Sequence, residues 1–240
     1  MATNLVATPG QLQACILRVS RLDASCVPQS GSNNQVVTAG LASVQATPDT
    51  EESTKFEQKN GCGSIAWQAE EGCDKIKRYT LTMELATFDY ELLELLTGGT
   101  LILADNSNAP SGWRNKVIGF ASPGNDTTCP DGVALEIFTK AAYNSGTCSA
   151  LASGTPQYVR HIFPRAFLIP SDRNFENDVA VARLTGYSTP NPAFSTGATG
   201  DWIAADDLPS DTPYAQMFAA SLPTVSNAGA YGVLGGGYSA

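Results

Sequence analysis

The chain has 240 residues, 42% of them hydrophobic and 15% charged, which excludes a disordered or fibrous protein and leaves room for one large domain or two small ones. Fourteen Lys and Arg stand against 23 Asp and Glu, a net charge of −9, the wrong sign for a domain that grips nucleic acid by its phosphates. The 22 glycines and 14 prolines, with β-branched and aromatic runs between them, predict a mostly β protein of short strands and many turns.

In chain order, the opening MATNLVATPGQLQACILRVSR has no basic segment followed by an apolar run, and nowhere do 18 apolar residues follow one another. Neither a signal peptide nor a membrane span is expected. Leu12 to Ser20 reads as a strand, and SCVPQSGSNNQ after it as a loop. Further strands are expected at Gln35–Val44, Thr54–Gln58 and Ser64–Gln68. The clearest strand is IKRYTLTMEL, where Tyr79, Leu81, Met83 and Leu85 alternate with Arg78, Thr80, Thr82 and Glu84.

The period then changes. In TFDYELLELLTGG, Leu92, Leu93, Leu95 and Leu96 form a stripe, Asp89 and Glu91 occupy the first turn and Gly98 is placed to close it, so residues 88–98 are predicted to be the one helix. A helix this short persists only by docking its leucines on a sheet. TLILA, NKVIGFA, GVALEIFTKAAY, YVRHIFPRAFLIP and NDVAVARLTGYST follow as strands, with Pro164 forcing a bulge or an edge position in the fourth. After Pro190 the sequence turns polar and turn-rich, with one helical turn expected at Asp211 and Pro213 and an extended tail, NAGAYGVLGGGYSA. There is no internal repeat. The predicted organisation is a mostly β body of antiparallel strands over residues 1–194, with one flanking helix, and a C-terminal extension over 195–240.

The six cysteines are too dilute for a disulfide-dependent scaffold. Cys62 and Cys73 bracket GSIAWQAEEG and would face each other if that run folded as a hairpin; buried free thiols are the plainer alternative. No CxxC is present and His161 is the one imidazole, so no zinc site is expected. His161 lies in an apolar strand-like run and reads as structural. GxSxG, SxxK, HExxH, P-loop and GxGxxG motifs are absent.

Glu51, Glu52, Glu70 and Glu71 offer paired carboxylates of the kind glycosidases use, but such pairs are ordinarily solvated. Asp201, Asp206, Asp207 and Asp211 share one loop-like stretch without the spacing of a calcium loop. Asn125–Asp126–Thr127 matches a glycosylation sequon, and Trp67, Trp113 and Trp202 are scattered. No catalytic, cofactor-binding or metal-binding residues are therefore assigned, and the chain reads as a non-enzyme. A negatively charged domain without a site and with glycine-rich ends suits a self-assembling structural subunit.

Two stretches carry a resemblance: NGCGSIAWQAEEGCDKIKRYTLTMELATFDYELLELLTGG, residues 60–99, and VRHIFPRAFLIPSDRNFENDVAVARLTGYSTPNPAF, residues 159–194, about a third of the chain. The strand KRYTLTMEL leading into D-x-E-L-L-x-L-L-T-G, and the run FPR…NFENDVA…LTGY…PNP, resemble the major tail tube proteins of long-tailed bacteriophages, especially those infecting actinobacteria. The resemblance implies a β-sandwich or barrel-like fold with a flanking helix, and hexameric rings stacked head to tail into a hollow tube through which DNA is ejected. It further implies partners in the tape measure, tail tip and tail terminator proteins, no membrane, and a place in the virion tail after assembly in the host cytoplasm. On this view the segment before Leu12, a long loop around Ser30 to Thr54 and the tail after Pro190 are ordered mainly by neighbours. The competing expectations are a tail terminator or capsid decoration protein and, from a different class, an extracellular carbohydrate-binding β-domain.

Overall fold

A computed structural model describes residues 10–29, 34–86, 89–124, 132–142, 157–171, 182–194, 210–219 and 221–224. Six strands and a helix carry the body's first half. They are β1 (Gly10–Arg21), β2 (Gln35–Thr38), β3 (Leu41–Glu51), β4 (Thr54–Lys59), β5 (Ile65–Glu71), β6 (Lys75–Leu85) and α1 (Tyr90–Thr97), with β6 being the strand that leads into the helix. After them come β7 (Thr100–Leu103), β8 (Val117–Ala121), β9 (Val133–Ala142), β10 (Tyr158–Pro170), β11 (Ala182–Thr189) and β12 (Ala215–Ala219). All ladders are antiparallel.

The main sheet runs β2-β1-β9-β10-β11-β6-β3, with β12 also on β10. It bends at β10. Tyr158–Ile162 pair with β12, whereas Arg165–Pro170 pair with β11, and the ladder to β9 breaks register between Phe163 and Ala166. Pro164 sits in that break, since it has no N–H to give a ladder; the expected bulge is there. The two halves close like a sandwich, Leu17, Val19, Val36, Leu135 and Ile137 facing Leu81, Met83, Leu85, Leu168 and Leu184. No barrel closes.

The helix covers one side of this core. Asp89 is the N-cap, accepting from the Glu91 N–H at 3.0 Å, and Gly98, at φ 70°, donates its N–H to the Glu94 carbonyl. Left-handed φ at that position is why a glycine ends the helix. Leu92, Leu93, Leu95 and Leu96 are all buried, and the helix packs on β10 and β1 with the β7–β8 hairpin along it.

Several expectations change. The strand expected over Gln35–Val44 is two strands: β2 pairs with β1, and β3 pairs with β6 at the other end of the sheet, so the chain must break at Ala39–Gly40 to cross between them. The long loop around Ser30 to Thr54 is accordingly strand over most of its described length. GSIAWQAEEG is not a hairpin but essentially one strand, β5, paired to β4. Cys62 and Cys73 fall beyond its opposite ends, and seven extended residues alone span about 23 Å at 3.3 Å each, far beyond disulfide reach. Both thiols are free and exposed, not buried, and Cys15 and Cys26 are free and partly exposed. At Ser210–Asp211 there is a turn rather than a helical turn, leading into β12.

Leu95 is 5% exposed, so Leu95→Asp should cost about 3–5 kcal/mol through a buried unpaired charge and lost packing. Chemical denaturation measures this, and a loss under 1 kcal/mol would remove the helix from the core. Asp89 supplies a pH test. Burial pushes its pKa up to about 6 against the lesser pull of the Leu92 and Glu91 N–H groups, and its Oδ2 is buried without a hydrogen-bond partner among the described residues. A carboxyl whose folded pKa is raised binds more protons in the native state, so its contribution to stability falls as pH rises from about 4 to 6. Asp89→Asn keeps a capping side chain and should be the more stable chain at pH 7, with the advantage shrinking or reversing at pH 4. A pH-independent difference in melting temperature would contradict this.

Candidate assembly surface

β3, β4, β5 and β6 are one long hairpin with a join in the middle. Glu51 pairs with Lys75 on one side of the join and Thr54 with Glu71 on the other. Two residues, Glu52 and Ser53, lie opposite three, Gly72 to Asp74. Such a mismatch bends a ribbon, and Gly72, at φ 90°, takes the conformation that a side chain would disfavour. The Ser53 N–H donates to Asp74 Oδ1 at 2.9 Å across the join, and on the near side Arg78 Nε donates to Asp49 Oδ2 at 2.7 Å.

The near end of this ribbon is core: Leu81, Met83 and Leu85 are buried. From Pro48 and Arg78 outward almost every residue is exposed. Twelve residues from Pro48 to Lys59 reach about 40 Å at 3.3 Å per residue, so a two-stranded arm projects from the sandwich. The register puts Phe56 and Gln58 opposite Ala69 and Trp67 on one face, and Lys55 and Glu57 opposite Glu70 and Gln68 on the other. Phe56 and Trp67 are 46% and 57% exposed, and Ile65 and Ile76 are exposed as well. A lone two-stranded ribbon is marginal in water, and this one carries an uncovered aromatic face.

A second apolar surface lies on β7–β8, where Ile102, Leu103, Trp113 and Ile118 are exposed. Helix α1 connects this hairpin to the Leu85 end of β6, whereas the arm leaves from the Lys75 end. The eight residues from Arg78 to Leu85, about 26 Å of strand, lie between the points at which the two surfaces join β6. The β7–β8 turn is well built: Asp105 accepts from the Ser107 N–H and hydroxyl, which holds its carboxyl below the usual range, and Arg114 Nε donates to the Ala109 carbonyl.

The remaining polar chemistry is structural. On the other face of β1, β9 and β10, Arg18 forks onto Glu136, Nε to Oε1 at 3.1 Å and Nη2 to Oε2 at 2.7 Å, and Arg160 Nε donates to the same Oε2. Glu136 is fully buried and Arg18 lies over the Phe138 ring. Sequence reasoning missed this group, although each member interrupts an apolar run, in ILRVS, ALEIF and YVRHI.

His161 Nδ1 lies 2.8 Å from the Tyr214 hydroxyl and Nε2 3.2 Å from Thr139 Oγ1. Burial lowers its pKa, so it is neutral at pH 7. It lines a cavity of about 310 Å³ with Tyr79, Phe163 and Tyr214, and among the described residues no carboxylate or thiol lines it beside the imidazole.

The other singled-out residues do not converge. Glu51 and Glu52 are exposed at the arm's join, and Glu70 and Glu71 end β5 beside it. Trp67 is on the arm, Trp113 on the β7–β8 turn, and Asp211 is exposed. Asn125, Cys129, Cys148, Asp201, Trp202, Asp206 and Asp207 lie outside the described residues, as do the segment 1–9 and the tail from 225. Among the described residues no three His, Cys, Asp or Glu side chains gather as a metal site, and no helix is long and apolar enough to cross a membrane.

In the dilute, unassembled chain the amides of Lys55–Lys59 and Ile65–Glu71 should exchange with solvent orders of magnitude faster than those of Val133–Thr139 and Val159–Phe163. Hydrogen exchange read by mass spectrometry checks this; equal protection would mean that the arm is held by its own subunit.

No protein-family model and no curated protein matches the chain. Among solved structures, a cryo-EM structure of the anti-feeding prophage cap, which terminates that particle's tube, matches 91% of this chain and 100% of its own at 13% identity and a TM-score of 0.32. A likeness that faint carries no argument about function, which rests on the geometry above.

Proposed function

We propose that this protein is a non-enzymatic structural subunit of a phage tail, which self-assembles into stacked rings that form the tail tube. The observation that carries the reading is the arm: among the described residues nothing covers the exposed Phe56 and Trp67 or supports the two-stranded ribbon from a further strand, and such a ribbon is marginal alone. Neighbouring copies supply both. Among the described residues β3 has no strand partner beyond β6, a second feature that assembly would satisfy, since an unpaired edge is a template for another chain. The stretches that resemble tail tube proteins supply most of the arm and the helix that follows it.

In this role the chain contributes shape and charge rather than chemistry. Hexameric rings, stacked head to tail between a tail tip and a terminator around a tape measure, would leave a channel for DNA. A net −9 per subunit favours a wall that repels phosphate and lets the genome slide, where lysine and arginine clusters would hold it. The place of action is the virion tail, after assembly in the host cytoplasm.

Negative-stain electron microscopy of the full chain over a concentration series tests the proposal. Rings or tubes with a central channel are expected. The double variant Phe56→Ser, Trp67→Ser should keep the melting temperature of the sandwich within a few degrees while losing the assemblies. Monomers at every concentration of the unaltered chain, or assemblies indifferent to the double variant, would overturn the arm-based reading.

A further inference from the structure

The two exposed apolar surfaces differ in charge as well as in place. From Glu51 to Asp74 the arm carries six acids against Lys55 and Lys59, a net −4; from Thr100 to Ala121 the β7–β8 hairpin carries Arg114 and Lys116 against Asp105, a net +1 within a chain of −9. Asp105 is held by Ser107 and Asn108 inside its own turn, and with Arg114 and Lys116 the hairpin keeps a net +1. Arg114 and Lys116 are both exposed and flank the exposed Trp113. An aromatic acidic arm and an aromatic basic hairpin thus stand at opposite ends of β6.

Resting on the tail-subunit reading, we infer that the arm of one copy docks on the β7–β8 hairpin of the next. The partner is a second copy of this chain. Phe56 and Trp67 pack against the apolar group around Ile102, Trp113 and Ile118, and Arg114 and Lys116 face the arm's carboxylates. Pairing like with like is disfavoured on each side, because arm on arm sets −4 against −4 and leaves the cationic hairpin without a counterpart. Opposite charges steer encounter toward the arm-to-hairpin arrangement. Because the two surfaces are different patches at separate ends, the contact is heterologous: each copy keeps one unused surface at either end, and the chain of contacts continues until a ring closes or a stack is capped.

Charge reversal tests the pairing without touching the core, since every position involved is exposed. The variant Arg114→Glu, Lys116→Glu should raise the concentration needed for assembly at least tenfold, with circular dichroism and melting temperature unchanged. Adding Glu52→Lys and Glu57→Lys to the same chain takes the arm from −4 to 0, removes its repulsion of a hairpin now at −3 and should return that concentration to within about threefold of the unaltered protein. Light scattering and electron microscopy read both. If the unaltered chain forms tubes and the Arg114 and Lys116 variant forms them equally well, or if the four-substitution chain shows no recovery, the pairing is overturned while the tail reading stands. If the unaltered chain never assembles, both fall.

Discussion

The fold turns on one strand having to serve two half-sheets. β10 hydrogen-bonds β12 with its first five residues and β11 with its last six, and keeps β9 along its other edge until the register breaks. A continuous ladder cannot change partners without a gap, and proline supplies it by lacking a donor. The carbonyl that Pro164 exposes at the corner accepts from Asn191 Nδ2, which also donates to the Cys26 carbonyl, while Asn191 Oδ1 takes the Ala193 N–H. A 4%-exposed asparagine thereby ties the bend to the segments before and after it. Without the bend, Leu17 and Leu135 would have no Leu81 or Leu184 to face, and the helix leucines would have no groove.

Much of this was legible because it is local. Alternation in KRYTLTMEL and the cap residues around ELLELL are short-range signals, and short-range physics placed β6 and α1 within two residues of expectation. Pro164 announced a break for the same reason. What could not be read was partnership at a distance. Nothing near Ala39 says that β2 and β3 belong to opposite ends of the sheet, and nothing in GSIAWQAEEG says that its partner precedes it rather than lying within it. The buried group of Arg18, Glu136 and Arg160 left a trace, a charge in the middle of each of three apolar runs. Recognising that the three traces belong together requires the order β1-β9-β10, which only the tertiary fold provides. The arm was the largest surprise: β4, β5 and β6 were expected one by one, the outer part of β3 was read as loop, and the four were not expected as one ribbon leaving the core.

The two faces of the β1-β9-β10 half-sheet show how the protein separates stability from specificity. Its inner face is aliphatic and tolerant of small shifts. Its outer face carries Glu136, whose two oxygens are both committed to guanidinium groups. Such a group adds little net stability over apolar packing, yet removing one member leaves a buried charge without compensation. It therefore acts as a register lock: Arg18 is directly opposite Glu136 in the β1–β9 ladder, and a one-residue slip would send its guanidinium to the aliphatic side.

That rigidity gives the projecting ribbon its meaning. An exposed aromatic face is ordinarily an aggregation hazard, and a flexible base would let it find any apolar surface. Here the base is the β3–β6 ladder, anchored by Met83 and Leu85 in the core and by Arg78 and Asp49 at the rim, so the direction in which the arm leaves is set by the sandwich. The acids around the join raise the cost of approach for other acidic surfaces, including the arm of another copy. An apolar surface held in one direction and guarded by one sign of charge accepts few partners. Stickiness becomes selectivity when both the geometry and the electrostatics of the approach are fixed before the encounter.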